Sequence, residues 1–134
     1  MEKFDLIQSD ILKKKLALEE LEDQYHSDKK ELEDQYNELD VRQRDLRRMI
    51  ESKYDIALHQ LKQLDLDTDE EFGLLNREIS AYLEVTERTF MDYCQKLDQR
   101  DEELEKQFKT SHSRISQDLE QDYQLRQKLE HEKG

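Results

Sequence analysis

Phe4, Ile11, Leu18, Tyr25, Leu32, Leu39 and Leu46 recur at a strict interval of seven residues, in a stretch otherwise dominated by charge. A seven-residue apolar repeat places one side chain on the same helical face every two turns, the pattern of a helix packed lengthwise against another. Ile7, Leu21, Met49 and Ile56 occupy the companion position, and Lys14, Asp28, Gln35 and Arg42 occupy it elsewhere. After Leu46 the stripe resumes through Ile50, Tyr54, Ala57, Leu61 and Leu64 with a four-residue step, a stutter that locally unwinds a supercoil. A second stripe runs through Phe72, Leu75, Ile79, Leu83, Phe90, Tyr93, Leu97, Leu104, Phe108, Ile115 and Leu119. Between the stripes lies Asp65-Leu66-Asp67-Thr68-Asp69-Glu70-Glu71, where Thr68 followed by Glu71 reads as a capping box at a helix start. The chain has no proline, and its only glycines are Gly73 and Gly134, so little else stops a helix. The pattern predicts an all-α antiparallel hairpin, with helices over about 3–66 and 69–128 and the turn near 65–69. The whole of 1–134 reads as a single helical hairpin domain. A continuous rod through the break is the competing arrangement.

Composition narrows what such a hairpin can do. Apolar residues make up 34% of the 134, against ~45–50% in a typical globular domain. They suffice for a seam but not for a three-dimensional core. The apolar order separates the chain from disordered sequences of similar charge. Glu20-Leu21-Glu22-Asp23-Gln24-Tyr25 returns as Glu31-Leu32-Glu33-Asp34-Gln35-Tyr36, a period of eleven compatible with a nearly straight pair. Tyr25 and Tyr36 are expected to lay rings along the seam with their hydroxyls in water. Gly73, in the first turns of the second helix, permits a neighbour to approach closely.

The formal net charge of −13 disfavours nucleic acid and anionic membranes as partners. Arg42, Arg44, Arg47 and Arg48, interrupted by Asp45, read as a solvated helix face. The single cysteine, Cys94, excludes an intramolecular disulfide and a cysteine-based zinc site. No apolar run approaches ~18 residues, and the start of the chain lacks the features of a cleaved signal peptide. A cytoplasmic protein is expected, with export by a signal-independent route left open.

Catalytic chemistry finds no foothold in the sequence. Asp65, Asp67 and Asp69 match the opening of a calcium loop, but Glu70 stands where glycine is needed and Asn76 where the bidentate Glu belongs. His26, His59, His112 and His131 show no metal-ligand spacing, and Asp23 with His26 is an isolated half-motif. No nucleophile elbow, triad or phosphate loop is present, so no enzyme, metal or cofactor is expected. Tyr36 and Asp40 fit the YxxxD pattern that resembles a type VII export tag, although it lies within a helix, where a seam aromatic followed by a surface acid is the simpler reading.

The charged hairpin pattern, with an aromatic-rich middle, ends in Leu97-Asp98-Gln99-Arg100-Asp101-Glu102-Glu103-Leu104, then Asp118-Leu119-Glu120 and Arg126-Gln127-Lys128-Leu129. Together these features resemble the small α-helical accessory proteins encoded beside LXG toxins of type VIIb secretion systems, and more narrowly their non-WXG-like class. There is no Trp, and Phe72-Gly73 only distantly echoes the Trp-x-Gly of the WXG type. The resemblance implies a targeting chaperone bound to the helical N-terminal domain of a toxin, together with a second small helical protein.

The residues themselves imply a helix-binding adaptor or a self-associating coiled-coil scaffold, including a homodimer. The second stripe is dense up to Leu97 and thins afterwards, so the open end of the hairpin is expected to be least able to satisfy itself. Phe4, Ile11, Leu18, Tyr25 and Leu32, with Phe108, Ile115 and Leu119 facing them, are therefore the expected partner-binding residues.

Overall fold

A computed structural model describes residues 2–64 and 67–132. Two helices, α1 (Glu2–Gln63) and α2 (Asp69–Glu132), pack against each other as an antiparallel hairpin. Helix α1 ends three residues before the expected 66, and α2 runs four beyond the expected 128. At the close of α1 the Leu64 N–H reaches the Leu61 carbonyl at 3.2 Å. Asp65 and Leu66, part of the expected turn, lie outside the described residues.

The start of α2 follows from local chemistry. The Thr68 carbonyl accepts the Phe72 N–H at 2.9 Å, the first intrahelical bond, which makes Thr68 the N-cap residue. The Asp67 carboxylate takes the Asp69 N–H at 3.2 Å, and Asp69, Glu70 and Glu71 fill the first turn, where the helix dipole favours negative charge. Gly73 has no tight neighbour: an added Cβ would meet only the Arg77 guanidinium, at 3.9 Å. The expected close approach is not made there.

The chain divides into two compact units, each built from a segment of both helices. The first comprises Met1–Leu32 with Arg100–Gly134, the second Glu33–Gln99. Within each, residues meet partners about as far beyond the break as they themselves lie before it.

In the first unit the seam follows the heptad through Phe4, Ile11, Leu18, Tyr25 and Leu32. Ile11 is the most enclosed side chain, at 2% exposure, and Leu32 and Leu119 are also buried. Charge crosses the seam repeatedly. The Lys14 amine lies 2.8 Å from both Asp10 and Asp122, and the Lys29 amine lies 2.5 Å from both Asp101 and Glu105. Arg126 donates to Gln8 at 2.9 Å. Lys14 and Asp28, read as polar seam positions, are half-buried as expected.

The second unit departs from the expected phase. Gln43, not Arg42 or Leu46, follows Leu39 into the seam, so the four-residue step comes two turns early. Ile50, Tyr54, Ala57 and Leu61 then continue inside as expected. Leu46, Met49 and Ile56 are left exposed, and Arg42 turns to Glu38 at 2.6 Å. On α2 the same displacement occurs: Cys94 enters the seam after Phe90, and Tyr93 is exposed. The two slips face each other, because Leu39–Gln43 stand opposite Phe90–Cys94 in this antiparallel register. A stutter in one helix unwinds the local supercoil, and a pair stays in register only when its partner unwinds at the same height.

Candidate functional site

The eight residues expected to bind a partner lie in the seam of the first unit. Ile11, Leu32 and Leu119 are buried there, while Phe4, Leu18, Tyr25, Phe108 and Ile115 are half-buried. Tyr25 stacks on Phe108 with ring centroids 4.0 Å apart and planes 21° from parallel. These side chains therefore hold the two segments of this hairpin together, and their burial leaves little of them to offer a partner. Three of the four buried apolar side chains among the described residues, Ile11, Leu32 and Leu119, lie in this unit, where cross-seam ion pairs flank them, so this end of the hairpin is not the less enclosed one.

The Tyr25 and Tyr36 hydroxyls, expected at the wet edge of the seam, bond carboxylates there, and the Tyr54 hydroxyl bonds an amide. Tyr25 donates to Glu105, Tyr36 to Asp98, and Tyr54 to Asn76 at 2.8 Å. The sequence repeat around Tyr25 and Tyr36 thus places two equivalent phenols on acids of the opposite helix. Tyr36 and Asp40, the pair resembling an export tag, are both engaged, Asp40 with Arg44 at 2.6 Å.

Electrostatics follow from these contacts. The Lys14 ammonium is held well above the ordinary lysine value, chiefly by its hydrogen bonds to Asp10 and then Asp122. Lys29 is raised in the same way by Asp101 and Glu105. Lys29, followed by Tyr25, pulls Glu105 below the ordinary carboxylate value, and Lys14 pulls Asp10 down. The hydrogen bond to Glu105 raises the Tyr25 phenol, and burial, with Asp98 and Asp40 nearby, raises the Cys94 thiol.

A carboxylate with a lowered folded-state value contributes stability above its unfolded value and loses it as pH falls. Helicity is therefore expected to fall once pH drops below about 4.5, the ordinary value for Glu105, as Glu105 and Asp10 take up protons. Circular dichroism at 222 nm across an acid titration checks this. Glu105→Gln removes part of the pH dependence, and an unchanged acid transition in that variant would count against the assignment.

The unsatisfied surface lies elsewhere. Ten of the fourteen exposed large hydrophobic side chains among the described residues belong to Glu33–Gln99, so the unpartnered apolar surface is concentrated in that unit. Arg42, Leu46, Met49, Lys53, Ile56 and Gln60 form one stripe of α1 at helical spacing, about a quarter-turn from the seam. On α2, Glu78, Tyr82, Val85, Thr89, Tyr93 and Lys96 form the matching stripe. Because the helices run antiparallel, both stripes turn to the same side of the pair. The apolar members are 39–59% exposed.

Leu46, Met49, Ile56 and Tyr93 have the spacing of seam residues but lie exposed beside the seam, because the stretch carries more apolar positions than one seam can use. Among the described residues no cluster of three or more His, Cys, Asp or Glu is disposed to hold a metal ion. No described helix is long and apolar enough to cross a membrane. No family model, curated protein or solved structure matches this chain.

Proposed function

We propose that the chain is a non-enzymatic helical adaptor that docks on the helices of another protein through the flank formed by Leu46, Met49, Ile56, Tyr82, Val85 and Tyr93. The observation that supports this reading is the alignment of two apolar stripes, one per helix, on one side of a hairpin whose own seam is already filled. A paired flank of this kind presents the ridges and grooves that a third and fourth helix pack into. The partner class comes from the resemblance to LXG-associated accessory proteins: the helical N-terminal domain of a secreted toxin, held and targeted before type VII export. The adaptor would meet that toxin in the cytoplasm, where it is made.

Co-expression with an LXG toxin's N-terminal domain tests the reading. Met49→Glu combined with Tyr82→Glu should abolish co-purification while leaving helicity intact, since both side chains are exposed. Undiminished capture by the double variant would remove the flank from consideration.

A further inference from the structure

We infer that in the absence of a heterologous partner this flank is closed by a second copy of the chain, giving a four-helix bundle over residues 33–99. The inference rests on the reading of the flank as a docking surface, and adds its occupant and geometry.

Three observations carry it. The first is area: the six apolar side chains of the stripes expose on the order of 600 Å² per copy before any rim is counted, against about 800 Å² per partner in a standard interface. The second is charge. On a chain of net charge −13, most of the surface repels a second copy, but charged groups in and around these stripes are of both signs. Asp45 and Lys53 lie on α1, and Glu71 and Lys96 on α2, all exposed.

The third is symmetry. A two-fold axis crossing both helices near Met49 and Glu84 sets α1 antiparallel on α1 of the second copy, and α2 on α2. Met49 then meets its symmetry mate, Asp45 stands opposite Lys53, and Lys96 stands opposite Glu71. Every adjacent pair of helices in the bundle is antiparallel, and the interface closes on itself, as an isologous contact must. Among the described residues of this unit the same operation leaves no second apolar flank of comparable length, so assembly stops at two.

Sedimentation equilibrium of the purified full chain is the test. The chain has a mass of 16.4 kDa, and the expected species at micromolar concentration is twice that. Met49→Glu with Tyr82→Glu should raise the dissociation constant at least about a hundredfold with unchanged helicity. Leu12→Glu, at an exposed apolar position in the other unit, should leave the mass unchanged. Met49→Cys in a Cys94→Ala background should form a disulfide-linked dimer on mild oxidation, whereas Leu12→Cys should not.

A chain that stays monomeric at high concentration, or a dimer indifferent to the flank substitutions, overturns the inference. Capture of the toxin domain is read separately. A monomer that captures it sinks only the second copy as occupant, and a flank-dependent dimer that does not capture it sinks only the adaptor reading.

Discussion

Ile11→Ala is expected to lower the unfolding free energy by about 2–4 kcal/mol, whereas Leu12→Ala, one residue along, should change it by less than about 0.5 kcal/mol. The two side chains have nearly the same size and hydrophobicity. Ile11 is 2% exposed and Leu12 is 67% exposed, so only the first loses buried contacts on truncation. In a domain with several layers such a cavity is partly filled by relaxation from all sides. Here α2 is the only packed neighbour in the structure, and the charged groups around Lys14 and Asp122 are poor filler for an apolar void. The expected cost therefore lies toward the upper part of that range. Denaturant unfolding followed at 222 nm measures both variants, at one fixed protein concentration because dimerisation would otherwise shift the midpoint. Equal effects at positions 11 and 12 would contradict the seam assignment.

The contrast between these neighbours was legible in the sequence, because the heptad from Phe4 to Leu39 is unbroken and admits one inward face. Helix existence, the break and the antiparallel return were legible for related reasons: no proline, one capping box and two stripes of similar length. The phase of the middle was not. Leu46 looks a better seam residue than Gln43, and Tyr93 a better one than Cys94, if each is judged by its own side chain. What decides the matter is that two helices must slip at the same height, and no single stripe carries that information. The same blindness hid the candidate docking flank. Leu46, Met49 and Ile56 have the spacing of a seam, and only the position of the second helix shows that they lie beside it. Polar pairing across the hairpin was hidden too, since Lys14 and Asp122 are separated by 108 residues and acquire meaning only once the register is known.

That pair supports the second large expected effect. Lys14→Met should destabilise the hairpin by about 1–3 kcal/mol, because it leaves the buried Asp122 carboxylate without its cation. Removing one member of a desolvated pair costs more than the pair itself contributes. Asp122→Leu added to Lys14→Met should accordingly recover most or all of the loss, and in high salt the single variant should change less than wild type. Stability is then only half of the result. A seam in which Lys14 and Asp122 are both apolar can slide by a heptad with little penalty, whereas a lysine that must meet an acid cannot. Spin labels on the exposed positions Lys13 and Gln121 read this directly. Wild type should give one narrow distance distribution, and the double variant a broader or split one at undiminished stability. A narrow distribution in both would mean that the seam's shape, and not its charges, sets the register, and the ion-pair ladder would then be a consequence of the fold instead of one of its determinants.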